Sequence, residues 1–394
     1  MRALDILHDR LTQALGAMHK ARWNALWTTV LGLIGGRQLW LTALGRARPG
    51  EAAHKHSIKA VDRLLGNGIL YAERKMVCAA VATQLLRKRS SPVILVDTME
   101  VQTGAFALTA SIACDGRSFP VYSIVTSQQK VVAGTSRRFL RDLSLILPAN
   151  CRPILVTDAG FESPWFREVD AIGWDYVGRV RNTTRFFVDG NWVGNQQLYR
   201  RATQQARNLG VVPFPRSAAH PRRLVLSSMP SSSHRQRLTS RGTPGRRGDD
   251  RNKSKGASEP WLLATSLACR PEQVVAIFAL RMQIEETFRD TKCHRWGWSM
   301  RHCRSRSFLR LEMLLLIATV AYFVQQSIGF AAEKLSLHHR YQANTVRDRR
   351  VLSHFLLGGF VLRSSDHALI KAHFFQRTFR ALRDLIRELA PGNP

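Results

Sequence analysis

The chain has 394 residues, room for two or three domains at about 150 residues each. Its 45% hydrophobic content excludes wholesale disorder. Against 28 Asp and Glu stand 59 Lys and Arg, a formal charge of +31. That balance argues against an enzyme of neutral small molecules and for a protein that lives on a polyanion, nucleic acid first and an anionic membrane second.

The membrane reading is the weaker. The run Met313 to Val324 is charge-free for 12 residues, against the ~20 that a spanning helix needs. The run Trp23 to Gly36 is also short and is flanked by Arg22 and Arg37. Both read as buried helices. The second begins after Asp5 and Asp9, too late for a clean signal peptide, so the cytoplasm is the expected compartment. Six cysteines (78, 114, 151, 269, 293, 303) have no framework spacing. Cys293-His294 and His302-Cys303 bring zinc-type ligands close in sequence, but adjacent ligands point apart and no C-x-x-C pair occurs.

Residues 1–88 read as helical and basic. After the turn Arg46-Ala47-Arg48-Pro49-Gly50, the segment Lys55 to Asn67 sets Ile58, Val61, Leu64 and Leu65 on one face and Lys55, Lys59 and Arg63 elsewhere. Two helices about a basic turn suit a helix-turn-helix-like DNA reader, which the global charge favours over an ordinary solvated amphipathic helix.

At Pro92 the pattern changes. Pro92-Val93-Ile94-Leu95-Val96-Asp97 predicts a buried strand, and Gly104–Cys114 and Ser118–Thr126 predict two more about the turn Asp115-Gly116-Arg117. Ser136–Leu147 has a helical period. Pro153 to Asp158 predicts another buried strand, Ser163-Pro164 a helix start, and Asp175–Val180 a strand. This β-β-β-α-β-α-β order implies a mixed sheet with helices against it. Between Thr183 and Pro260 the pattern degrades into short pieces such as Arg185–Val188 and Arg223–Leu226. Within it, 230–259 is a Ser/Arg/Gly-rich stretch that cannot bury a core. Trp261–Thr265 predicts a strand, about Pro271 to Lys292 one long helix, and 306–388 amphipathic helices.

Two of these strands end in a carboxylate, Asp97 and Asp158. Ligand and catalytic groups of open sheets gather at such ends, and paired carboxylates among phosphate-binding bases suit two divalent cations. Either Asp also fits a plain strand-end cap. On a helix of roughly 100° per residue, Phe278, Arg281, Glu285 and Lys292 fall within about 60°, with Arg289 beside them. Such a face could complete a metal site through Glu285 and hold phosphates, or be a solvated face with i,i+4 pairing.

The run Phe278-Ala-Leu-Arg281-Met-Gln-Ile-Glu285-Glu-Thr-Phe-Arg-Asp-Thr-Lys292 resembles the Y-(2)-R-(3)-E-(6)-K signature of bacterial insertion-sequence DDE transposases, in the cut-and-paste branch that works through DNA hairpins and that includes the transposase of the tetracycline-resistance composite transposon. Asp97 and Asp158-Ala159-Gly160-Phe161 resemble the first two catalytic aspartates of that family, and Lys55–Asn67 and Tyr341–Arg347 other segments of it. The resemblance implies an α/β fold: a ribonuclease-H-like mixed sheet with a β-rich insertion, flanked by N- and C-terminal helical regions. The expected division is 1–88 as a DNA-end-binding region, 89–305 as the catalytic domain with its insertion at about 183–260, and 306–394 as a helical region.

The same resemblance implies that Asp97, Asp158 and Glu285 are catalytic and hold two Mg²⁺ ions, with Mn²⁺ able to substitute. It implies DNA contacts for Arg179, Arg281, Arg289, Lys292, Lys55, Lys59 and Arg63, and for Trp261, whose indole would stack on a base flipped out beside the hairpin. Phe278 stands where the signature has Tyr; it retains the ring and loses a hydroxyl that can bond a phosphate, worth about 1 kcal/mol. The expected partners are double-stranded DNA, as terminal repeats and as target, and a second copy of the chain on that DNA, in a bacterial cytoplasm at the nucleoid. A membrane and a nucleotide cofactor are not expected: no G-x-x-x-x-G-K-[ST] loop occurs, and Gly66-Asn67-Gly68 lacks the third glycine of a dinucleotide fingerprint. The competing expectations are a decayed transposase that only binds terminal repeats, and a nuclease that cuts without joining.

Overall fold

The computed structural model describes residues 3–181, 184–228, 259–293, 295, 297–300, 302–343 and 346–391. Its contacts divide it into two units, residues 1–153 with 280–394, and residues 154–279.

The first unit opens with five helices: α1 (Ala3–Ala14), α2 (Lys20–Gly36), α3 (Leu41–Ala47), α4 (His54–Leu65) and α5 (Gly68–Leu85). The apolar run ending at Gly36 is thus a helix, and its Trp23, Leu26, Val30 and Leu33 are buried as expected. In α4, Val61, Leu64 and Leu65 are buried while Lys55, Lys59 and Arg63 are exposed. At the start of α5, Asn67 Oδ1 accepts from Leu70 N at 2.9 Å, which satisfies one free donor of the first turn. Then come β1 (Val93–Gln102), β2 (Ala105–Ile112), β3 (Phe119–Thr126) and α6 (Ala133–Ile146). β2 pairs antiparallel with both β1 and β3. Val93 to Val96 are all buried, which accounts for an unbroken apolar run in a strand.

The second unit consists of β4 (Ile154–Thr157), α7 (Ser163–Ala171), β5 (Asp175–Arg179), β6 (Arg185–Val188), β7 (Asn191–Gly194), α8 (Asn195–Tyr199), β8 (Arg207–Phe214), β9 (His220–Ser227), β10 (Trp261–Thr265) and α9 (Pro271–Ala279). β4 and β5 are parallel with α7 between them, as a short crossover requires. β10 pairs antiparallel with β5 and β9, and β9 with β8. β6 and β7 form a separate hairpin. Strands β6 to β9 lie where the sequence pattern degrades. The Ser/Arg/Gly-rich residues 230–258 lie outside the described residues.

The chain then returns to the first unit with α10 (Met282–Lys292), α11 (Phe308–Lys334), α12 (His338–Tyr341), α13 (His354–Arg363) and α14 (Ala372–Glu388). α11 is 27 residues long. It is the one helix among the described residues long and apolar enough to cross a membrane, and that window is 94% buried inside the fold. It outruns the 12-residue apolar run, and of its flanking polar residues Glu312 is paired with Arg74 and Gln325 Nε2 donates to Phe355 O at 2.7 Å. Where α11 crosses α13, a Cβ on Gly329 would lie 1.9 Å from His354 O and one on Gly358 1.9 Å from Gln325 O, so both positions require glycine.

The strand order is β3-β2-β1 in the first unit and β4-β5-β10-β9-β8 in the second. An antiparallel β3-β2-β1 meander followed by β4 and β5 is the ribonuclease-H-like order, so the fold is the expected mixed α/β sheet with flanking helices.

Two expectations are corrected. Asp97 does not end its strand: β1 runs on to Gln102, with Asp97 opposite Thr109, because the β1–β2 hairpin register extends the ladder past the apolar run. The long helix 271–292 is two helices, α9 and α10, with Leu280 and Arg281 in the break. α9 packs on strands β4, β5, β9 and β10, whereas α10 packs on β1, so one straight rod does not serve both.

Candidate active site

In the first unit Asp97 sits on β1, its side chain 14% exposed, and its Oδ1 accepts from Thr98 N at 2.7 Å. Arg281 is the N-cap residue of α10, and Glu285 lies in the first turn of that helix. Arg281 Nη2 stands 2.6 Å from Glu285 Oε1, and its Nη1 3.6 Å from Asp97 Oδ2. One guanidinium therefore serves both carboxylates, and its positive charge offsets their mutual repulsion. The break before α10 puts Arg281 at the helix head, where it can reach both β1 and Glu285.

Lys292 closes the same helix. Partial burial lowers its ammonium pKa below the ordinary value, while the Glu100 and Asp97 carboxylates pull it back up. Arg281, Glu285 and Lys292 thus share the side of α10 toward Asp97, whereas Phe278, expected on the same face, lies on α9. Arg289 is largely exposed and pairs with Glu286.

The opposite side of α10 is fastened to the β2–β3 turn by contacts that the sequence reading missed. Gln283 Oε1 accepts from Cys114 N at 2.7 Å and Gln283 Nε2 donates to Cys114 O at 2.8 Å. Thr287 Oγ1 accepts from Ser118 N at 3.0 Å. Arg117 Nε donates to Asp290 Oδ2 at 2.7 Å, and its Nη2 lies 3.4 Å from Glu286. These bonds fix the rotation and height of the helix that carries Glu285. The available signal was polar Gln283 and Thr287 one turn apart, which reads as a solvated face unless their burial is known.

In the second unit Asp158 immediately follows β4, as expected. Its Oδ1 accepts from Gly160 N at 2.8 Å, a short Asx-type turn that aims the carboxylate. A Cβ on Gly160 would lie 3.0 Å from that oxygen, so glycine leaves it room. Arg179 ends β5, where its Nη2 donates to Glu259 O at 3.3 Å. Trp261 opens β10 and is partly exposed. Phe278 is 3% exposed, and its ring meets Trp261 edge-on at 4.8 Å and 77°. Phe278 therefore lies inside the fold and braces the indole.

Lys55, Lys59 and Arg63 line the outer side of α4 in the first unit. Among the described residues no three His, Cys, Asp or Glu side chains are gathered as a ready metal site. His294 of the Cys/His cluster lies outside the described residues. The donors at the expected site are carboxylate oxygens, hard ligands of the kind that Mg²⁺ and Mn²⁺ take.

The whole chain aligns with 83% of a chain of the piggyBac transposase synaptic complex with hairpin DNA, determined by cryo-EM, at 10% identity and a TM-score of 0.41. No curated protein matches the chain in sequence. Residues 89–324 match the family model described as the transposase DDE domain, a span that takes in Asp97, Asp158 and Glu285. With more than half of its length inside that match, the chain belongs to the DDE transposase family.

Proposed function

We propose that this transposase moves an insertion sequence by cutting and pasting, with Asp97, Asp158 and Glu285 as its catalytic acids and a DNA hairpin on the element end as intermediate. The observation that carries the reading is the Asp97–Arg281–Glu285 bridge, which sets two of the three acids beside a cation suited to phosphate. The three carboxylates would hold two Mg²⁺ ions, or Mn²⁺. Bound there, the metal activates the attacking oxygen and stabilises the leaving one.

One site then serves four steps, because each is an in-line displacement at phosphorus with a changed nucleophile. Water attacks the phosphodiester at the element end, and the P–O3′ bond breaks to leave a 3′-hydroxyl. That hydroxyl attacks the opposite strand and closes the hairpin, expelling the flanking DNA. Water reopens the hairpin, and the 3′-hydroxyl regained attacks a target phosphodiester. Arg281, Lys292 and Arg179 would hold the phosphates through these exchanges, and Arg289 would contact the backbone from the exposed side of α10. Trp261, braced by Phe278, would stack on the base displaced by the hairpin. Lys55, Lys59 and Arg63 would read the terminal repeat from α4, and two copies would join two ends. The compartment consistent with this work is a bacterial cytoplasm, at the nucleoid.

The test is cleavage of duplex DNA that carries the terminal repeat with its flank, in Mg²⁺ and in EDTA, on denaturing gels. A nick followed by a hairpin, absent in EDTA and in Glu285→Gln, supports the reading. Asp97→Asn cleaving at the wild-type rate would overturn it. Repeat binding with no metal-dependent product would favour the binding-only alternative, for which the missing Phe278 hydroxyl is the one motive.

A further inference from the structure

The second unit carries a cleft of about 470 Å³, of whose lining the catalytic reading uses only Arg179. Its walls include Arg167, Arg179, Arg181, Arg185 and Arg216, and Arg167, Arg185 and Arg216 are exposed. Glu162, the N-cap residue of α7, also lines it. The cleft reaches that helix end, where no side-chain capping bond is made. Helix N-termini leave backbone donors free and favour anions. At the first position of α7, Ser163 also lines the cleft; it is 7% exposed, and its hydroxyl has no hydrogen-bond partner. A buried hydroxyl without a partner is costly unless something meets it. The aromatic side chains there, Phe161, Phe166 and Phe214, are each less than 5% exposed, so no ring is offered for base stacking. Such a lining suits the sugar-phosphate backbone, not the bases.

One anion already lies against these arginines. Glu259 accepts from Arg181 Nε at 2.8 Å and is also paired with Arg181 Nη2, while Arg179 Nη2 lies 4.0 Å from the same carboxylate oxygen. A carboxylate shared by two guanidinium groups copies how a phosphate would be held.

We propose that this arginine cleft is a second DNA-backbone surface of the chain, and that Glu259, held against its Arg179 and Arg181, is an internal stand-in for a phosphate. The proposal rests on the reading of the chain as a DNA-acting transposase. A phosphodiester entering the cleft takes over Arg179 and Arg181 and frees Glu259. The carboxylate thus weakens binding of every sequence alike and leaves sequence choice to contacts elsewhere.

The test is fluorescence anisotropy of a labelled duplex of arbitrary sequence with the full chain in EDTA, across a KCl series. Each phosphate contact contributes roughly 0.9 to the slope of log K against log salt. Arg167→Ala/Arg216→Ala is expected to flatten that slope by about 1.8, and Arg167→Lys/Arg216→Lys to restore it. Glu259→Gln is expected to bind several-fold more tightly and with a steeper slope. Unchanged slopes in the double alanine variant and in Glu259→Gln, in protein that still cleaves terminal-repeat DNA, would overturn the cleft and leave the transposase reading intact. Wild-type chain that fails to bind duplex at low salt would overturn both. A loss confined to vesicles of anionic lipid, with duplex binding unaltered, would overturn the DNA assignment.

Discussion

Arg281 reaches Glu285 across a single turn of α10, Nη2 to Oε1 at 2.6 Å. The same guanidinium lies 3.6 Å from Asp97 on β1, so it ties the helix head to the strand through two acids. The Glu285 side chain is 42% exposed, and water screens much of the attraction. The arrangement is therefore worth more to chemistry than to stability.

Arg281→Ala should accordingly shift unfolding stability by less than about 1 kcal/mol. Its effect on cleavage should be large, about 10²–10³-fold, the usual cost of losing a preorganised charge beside a reacting phosphate. Single-turnover cleavage in Mg²⁺ and thermal unfolding of the same variant separate the two. A wild-type cleavage rate would remove Arg281 from the machinery.

Glu312 offers the opposite case. It is buried on α11, where it pairs with Arg74, accepts from Tyr71 Oη at 2.6 Å, and accepts from Val125 N at 2.9 Å. Arg74 is equally buried and also donates to Tyr122 Oη at 3.1 Å. Glu312→Gln leaves the guanidinium charge unpaired inside the fold, and the expected cost is about 3–5 kcal/mol. Replacing both with Met should recover a large part of that in chemical denaturation. If the single and double variants lose the same amount, the unpaired charge is not the cause.

These two ion pairs also mark how far the sequence could be read. β1, β4 and β10 were legible because their apolar runs are buried on both faces and bounded by Pro, Asp or Ser. Trp261–Thr265 begins and ends where expected. The break at Leu280–Arg281 was not legible: neither residue is Gly or Pro, and the helical period continues through it. What ends α9 is its packing on the strands of the second unit, a tertiary fact. At Asp97 the apolar periodicity stops, whereas the ladder with β2 continues. Gln283 and Thr287, a polar pair one turn apart, have the pattern of a solvated face, and only their bonds to Cys114 and Ser118 show otherwise.

Acid should weaken the α11–α13 contact. Burial alone would raise the Glu333 carboxyl. The His354 ring, whose Nε2 lies 2.5 Å from Glu333, and the Arg350 guanidinium at 2.9 Å override that and bring it down to about 2. A carboxyl lowered in the folded state adds stability that is complete above its unfolded pKa and is lost as pH falls through the folded value. The window runs from the ordinary 4.5 down to about 2. Thermal unfolding followed across it should show the melting temperature falling, with a flatter profile in Glu333→Gln. Parallel profiles for the two proteins would place the acid sensitivity elsewhere.

Gln283 tests whether the placement of Glu285 is a property of the helix alone. Its side-chain amide satisfies both Cys114 N–H and Cys114 C=O, and it is 9% exposed. Gln283→Leu strands two backbone groups, at about 1–3 kcal/mol for each left unsatisfied. It also frees α10 to shift against the β2–β3 turn. Mg²⁺ demands near-ideal octahedral geometry, so a displaced Glu285 should harm cleavage in Mg²⁺ more than in Mn²⁺. The expected result is a cleavage rate at least tenfold lower in Mg²⁺, a smaller deficit in Mn²⁺, and unchanged affinity for end DNA measured in EDTA. Equal losses in both metals, tracking the loss of folded protein, would reduce Gln283 to a contributor to stability.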